Sequence, residues 1–410
     1  MLSGALAKWF DEADIEDTAM VGGKGASLGE MYQKLSGIGV KVPNGFTLTT
    51  EAFREFVNAE IPESTWDNVG NPEGIEDVRS RAIACSTLSS ALEVCLRDAD
   101  TSDHLGLNGR ASLARSLVRE TPVPESVKRA IGAEYSKLCD MYYPGVDVAV
   151  RSSATTEDSA EASFAGQYES YLNVSGESEI VEKWRRCVAS MFTERSVGYH
   201  LENDMHPLDS SIAVVVMKMA RSDKACSGVM FTIDPDSGHD GVIHIGSSYG
   251  LGELVVQGVV SPDTYTIWKE GLRMGKFPIV YRTLGGKEQM MVYNEESTNE
   301  VHTIQVSIDE RKKWSLSKDE CVSLAEMGLK IEDYFGMPMD IEWAKDGISN
   351  ELFIVQARPE TIHSKSSESK MMLYKIDEKL TSKLKKDGRV IAEGQAVGTR
   401  VGTGMVRLYR

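Results

Sequence analysis

Several protein classes are excluded by what this sequence lacks. Its six cysteines form no Cys-x-x-Cys pair and are widely spaced. A zinc site or a disulfide framework is therefore not expected, and reduced, mostly buried thiols are. Its seven histidines show no ligand spacing; His200 and His206 lie too far apart for one helical turn. Positive charge is scarce. Lys and Arg total 45 against 62 Asp and Glu, a formal net charge of −17. That balance argues against a general nucleic-acid or anionic-membrane surface. An anionic ligand would need a local basic pocket. Long apolar runs are missing too: Ile212–Met217 is a buried strand at most. The start, MLSGALAKWFDEAD, turns acidic at once, so no signal peptide is expected and the cytoplasm is the expected compartment. There is no internal repeat and no low-complexity tract.

What is present has the texture of more than one domain. A chain of 410 residues exceeds one ordinary core. Residues 1–211 are helix-rich. Apolar spacing predicts a helix from Gly25 to Leu35, a second capped by Thr49 or Thr50, and one opened by Pro122 and Pro124. A short strand from Val146 to Val150 ends in Arg151-Ser152-Ser153. Residues 212–362 are strand-rich, with β-branched runs punctuated by Gly and Asp-Pro. Ser317 and Glu320 form a capping box before one long helix. Residues 363–385 begin with HSKSSESK and read as a linker; residues 386–410, with glycines among valines, read as the opening strands of a further domain. The fold class is α/β or α+β.

Five segments carry chemistry. The strands Met339–Ala344 and Leu352–Arg358 flank the turn signal Asp346-Gly347 and predict a hairpin. In an even register Asp340, Glu342, Gln356 and Arg358 share one face. Two carboxylates, an amide oxygen and a guanidinium could hold Mg²⁺ and nucleotide phosphates; a solvated face with a cross-strand ion pair fits the same residues. VGGKGAS at 21–27 places Lys24 in a Gly-rich helix start, suited to phosphate or to a plain surface lysine; it is not a Walker A loop. Arg151, at the mouth of its strand, suits phosphate oxygens or a salt bridge to Glu157 or Asp158. Glu253 follows two glycines at a helix start and suits a metal site, a ribose or the helix dipole. Val214–Met219 could wall an adenine ring or fill a core.

Six long segments, in this order, are VGGKGASLGEM, VPNGFTLTTEAF, VAVRSSATTEDSAEASFAGQYESYLNV, SGVMFTID, SSYGLGELVVQGVVSPD, and PMDIEWAKDG with FIVQARPET. Together they resemble the nucleotide-binding domain of the phosphoenolpyruvate synthase (pyruvate, water dikinase) family, over about residues 9–410. Pyruvate, phosphate dikinases usually carry a methionine-rich loop where this chain has ASFAGQ. Rifampicin phosphotransferases share RSSAT and ASFAGQ, but PMDIEWAKDG and QARPET look more like the synthases. The resemblance implies an α+β, ATP-grasp-like domain of two lobes, 1–211 and 212–362, followed by the start of a swivelling phosphohistidine domain. It assigns Lys24, Arg151 and Arg358 to the phosphates of ATP. It assigns Glu342 and Gln356 to Mg²⁺, with Asp340 and Glu253 in support. Gly166 and Gln167 would belong to a phosphate lid with Ser170 as a nearby hydroxyl donor. Val216, Met217 and Met219 would form the adenine hinge. The family usually has glutamine where Met217 stands, so a side-chain contact is lost there.

In that family a histidine on the swivelling domain accepts the phosphoryl group, and a barrel binds pyruvate. No histidine here lies in a Gly-Gly-x-x-Ser-His-Ala-like context. The chain is therefore expected to bind Mg·ATP and to need partner domains, in cis or on a separate chain, to make phosphoenolpyruvate. A stand-alone regulatory module, or the ATP domain of either relative, remains an alternative at this point.

Overall fold

In a computed structural model the fold mixes helices with antiparallel sheets, the α+β class. The structure describes residues 5–155, 168–294 and 301–360, with four positions between 383 and 388. Gly166, Gln167 and nearly all of the expected linker and further domain lie outside the described residues.

The first sheet contains β1 (Ala7–Trp9), β2 (Gly45–Leu48), β3 (Val148–Ala154), β4 (Ser170–Val174) and β5 (Ile212–Lys218), in the order β1-β2-β5-β3-β4. Its two faces enter different cores because side chains alternate along a strand. Ile212, Val214 and Val216 of β5 pack with the helices of residues 50–202. Val215 and Met217 face the other way, into a core shared with the second sheet. A strand buried on both faces reads as a continuous apolar run, which is why 212–217 shows no alternation. The change of sheet comes after Lys218, not at 211, because β5 lies between β2 and β3.

The second sheet contains β6 (Cys226–Phe231), β7 (Val242–Tyr249), β8 (Asp263–Trp268), β9 (Ile279–Thr283), β12 (Met339–Lys345) and β13 (Leu352–Pro359). Its order is β13-β12-β6-β7-β8-β9. Between β9 and β12 lies a separate pair, β10 (Gln289–Tyr293) with β11 (Val301–Gln305). The helix Lys318–Phe335 packs Cys321, Leu324, Ala325 and Ile331 into the shared core with Ile341 and Trp343. Its predicted Ser317/Glu320 capping box is present.

One further helix joins the two sheets. Thr18–Leu35 buries Leu28, Met31 and Leu35 in the shared core. Each such side chain is worth roughly 1.5–3 kcal/mol. The helix is broken at Gly22, whose φ of 70° only glycine adopts readily. A Cβ there would lie 2.0 Å from the Ser153 carbonyl oxygen. The break brings Lys24 against β3. Ser153 Oγ donates to the Val21 carbonyl at 2.8 Å and accepts from Gly25 N–H at 3.0 Å, so one hydroxyl bridges the kink.

Candidate active site

The β12–β13 hairpin has the even register expected of it. Asp340 lies opposite Arg358 and Glu342 opposite Gln356, so all four share a face. The other face, with Ile341 and Trp343, is fully in the core. After Glu342 the register slips: Trp343 pairs with Ile354. Val355 is the extra residue of this bulge. Bulges re-aim groups beside functional sites, and here the freed Val355 carbonyl accepts from Arg151 Nη1 at 2.9 Å.

Arg151 crosses from the first sheet to the second. Its Nη2 donates to Glu342 Oε2 at 2.7 Å and to Gln356 Oε1 at 2.8 Å. Three oxygens, from a carboxylate, an amide and a carbonyl, thus converge on one cation. Beside them Arg358 donates to Asp340 Oδ2 from Nε at 2.9 Å and from Nη2 at 2.7 Å. Ser27 Oγ donates to the Ala357 carbonyl at 2.7 Å and fixes the helix carrying Lys24 to β13. Lys24 is buried, and its charge reaches Glu342. Burial alone would raise the Glu342 pKa. Arg151, with Lys24 and Arg358, outweighs it and holds the carboxyl below the usual range. For Asp340 burial wins over Arg358, and its carboxyl is raised. Glu253 opens the short helix Glu253–Val256; burial raises its carboxyl too, with Arg151 opposing. Lys24, Arg151, Arg358, Asp340, Glu342, Gln356 and Glu253 therefore form one neighbourhood assembled from both sheets.

Other expectations need correction or relocation. Arg151 does not end its strand. β3 runs on to Ala154, and Ser152 and Ser153 are buried in it, because their hydroxyls have partners to meet inside, Ser153 at the helix kink. The partner of Arg151 is Glu342 of the hairpin. Ser170 lies directly opposite Arg151 on β4, on the same face, and is exposed. The exposed backbone expected at Val216–Met219 is not there. Met217 pairs with Gly45 on one side and Ala149 on the other, and Met219 N–H donates to the Asp147 carbonyl at 2.8 Å. Val216 points into the helical core, and Met217 and Met219 into the shared core. The reason is the interior position of β5, whose ladder bonds are taken on both edges. Ser153 and the Val355 carbonyl were missed. Ser153 had a signal, since it stands two residues from Arg151 and shares its face. Val355 had none, because a bulge is invisible in the residue pattern.

Among the described residues no three or more His, Cys, Asp or Glu side chains gather into a metal cage. The donor set suits a hard cation only with phosphate oxygens completing it, as is usual for Mg²⁺. Glu342 and Gln356, already converging on a guanidinium, fit that ion.

Comparison with protein families matches residues 18–378 to the pyruvate phosphate dikinase AMP/ATP-binding domain. The chain belongs to this family. Curated relatives include phosphoenolpyruvate synthases from Synechocystis sp. (40% identical over 99% of this chain and 47% of theirs), Aquifex aeolicus (40%, 99% and 45%) and Escherichia coli (38%, 99% and 47%). The chain thus spans about half the length of the curated relatives it matches. No helix among the described residues is long and apolar enough to cross a membrane.

Proposed function

We propose that this domain binds Mg·ATP in an ATP-grasp-like cleft between its two sheets and serves a phosphoenolpyruvate-forming phosphotransferase. The observation that carries this reading is the guanidinium of Arg151, from one sheet, held by Glu342 and Gln356 of the other. A cation placed there can turn from these oxygens to a triphosphate. Lys24, Arg151 and Arg358 would bind the β- and γ-phosphate oxygens, Arg with its planar fork and Lys as a point charge. Glu342 and Gln356 would hold Mg²⁺, with Asp340 and Glu253 in support; when bound, the ion supplies further neutralisation of phosphate charge. Asp340 stays bonded to Arg358 and orients it. Ser170, beside Arg151, is placed to donate its hydroxyl, and Gly166 and Gln167 would cover the phosphates. Positioning and electrostatics supply most of the catalysis in such transfers.

The phosphoryl acceptor would be a histidine on a swivelling domain beyond this sequence, and pyruvate would bind a further barrel domain. Residues 363–385 would link to the first of these and 386–410 would begin it. The names of the relatives support this destination, and their additional length supports further domains in cis. Six unpaired cysteines fit a reducing compartment that contains ATP, the cytoplasm.

Calorimetric titration of this chain with Mg·ATP tests the reading. Glu342→Ala and Arg358→Ala are each expected to weaken binding at least about tenfold, near 1.4 kcal/mol. Unchanged affinity in both removes the proposed phosphate site. With ATP and pyruvate the chain alone should form no phosphoenolpyruvate; its detection would place the acceptor within these 410 residues.

A further inference from the structure

A cavity of about 660 Å³ lies beyond the phosphate cluster, lined in part by Asp147, Asn173, Arg221, Asp223, Lys224 and Tyr293. None of these was singled out by the sequence. Tyr293 is 93% buried (7% exposed), and its hydroxyl has no hydrogen-bond partner among the described residues. A hydroxyl left so costs about 1–3 kcal/mol, and such orphans call for an explanation. Its ring carries the Arg221 guanidinium at 4.8 Å. Arg221 is otherwise committed: Nε and Nη2 each donate to Asp223 at 2.9 Å, and Nη1 to Asp147 at 3.4 Å. Two carboxylates and two cations leave the lining without net charge, so an anion gains little here. A neutral, polar, partly aromatic ligand fits better.

The position of the cavity relative to the cluster narrows the choice. Asp147 precedes β3, four residues from Arg151, or about 13 Å along an extended chain. Asn173 stands on β4 three residues from Ser170, in left-handed backbone (φ 55°) beside the β3–β4 bulge. On the opposite wall, β10 is pinned to the loop that leads to Glu253, through Leu251 N–H donating to the Met291 carbonyl at 3.0 Å. The same two walls therefore carry phosphate-cluster residues at one end and cavity residues at the other. Tyr293 also senses the charge of Glu253, which itself senses Arg151.

We propose that this cavity seats the nucleoside half of the nucleotide, and that the Tyr293 hydroxyl hydrogen-bonds a polar edge of the base or ribose. The proposal rests on the nucleotide reading given above. It moves recognition of the nucleoside from the backbone of β5, which is fully paired, to side chains of the 147, 221–224 and 293 segments. Tyr293 would be a specificity residue 70 positions from the nearest phosphate-binding side chain on its C-terminal side only in spirit of sequence distance; in space it lies beside Glu253.

The test titrates the whole chain and its Tyr293→Phe variant with Mg·ATP, with adenosine and with magnesium tripolyphosphate, and records the thermal midpoint without ligand. The variant keeps the ring and the Arg221 stack and removes only the orphaned hydroxyl. It should bind Mg·ATP and adenosine about tenfold more weakly and tripolyphosphate unchanged, with a midpoint equal to or above the parent's. Removing a merely structural hydroxyl would not separate adenosine from tripolyphosphate. Equal Mg·ATP and adenosine affinities in parent and variant would overturn the proposal. A parent that binds tripolyphosphate but not adenosine would also overturn it while leaving the phosphate site standing. A parent that binds adenosine but not tripolyphosphate would keep the cavity and sink the phosphate site. Binding of neither would overturn both.

Discussion

Arg151→Met should lower Mg·ATP affinity at least about a hundredfold, near 2.7 kcal/mol, and destabilise the ligand-free protein by about 3 kcal/mol. Methionine fills part of the space but cannot donate. Glu342 Oε2, Gln356 Oε1 and the Val355 carbonyl would then face one another with no shared cation. The stability loss should depend on pH with a definite sign. In the parent, Arg151 is the largest influence opposing burial at Glu342, and its pKa lies below the ordinary 4.5. A depressed carboxyl stabilises the fold above its unfolded pKa, and that contribution is lost as pH falls through the folded value. The difference between parent and variant should therefore be full at pH 7 and shrink once the pH drops below the ordinary range. Urea unfolding of both proteins at pH 7 and near pH 4 checks this. A loss of the same size at both would mean that the Arg151–Glu342 pair does not carry it.

Lys287→Met should have the largest effect on stability away from the site, about 3–5 kcal/mol. Lys287 and Asp263 are fully buried and paired. Asp263 also accepts from Gly285 N–H, Ser315 N–H and Ser315 Oγ, each at 2.8 Å. The lysine thus neutralises a carboxylate that ties β8 to two loops. Its own backbone is left-handed, at φ 43°, in a Gly285-Gly286-Lys287 turn. The methionine variant leaves a buried carboxylate with donors but no countercharge. Denaturant midpoints at constant slope measure the loss; a change below about 1 kcal/mol would place the pair among those that contribute little.

How far the sequence could be read followed how local each determinant is. The hairpin site was legible because alternation puts Asp340, Glu342, Gln356 and Arg358 on one face whenever the turn keeps an even register. The capping box at Ser317 and Glu320 and the cap at Thr49 depend on three or fewer residues of spacing, and both formed. Arg151 was identified by type but misplaced by position: serines after an apolar run look like a loop until Val21 and Gly25 supply their partners. The adenine-hinge expectation failed at the backbone because nothing in Val214–Met219 tells an edge strand from a central one. Only the pairing with β2 and β3 does. The cavity beside Tyr293 was illegible for the same reason. Its walls come from segments 70 residues and more apart, with no motif in any of them.

The most direct test of the central claim is a crystal structure of this chain with Mg²⁺ and a non-hydrolysable ATP analogue. The account predicts the triphosphate between the sheets, with Lys24, Arg151 and Arg358 on its oxygens and the ion on Glu342 and Gln356. An analogue bound elsewhere, with Arg151 still held by Glu342 and Gln356, would contradict it.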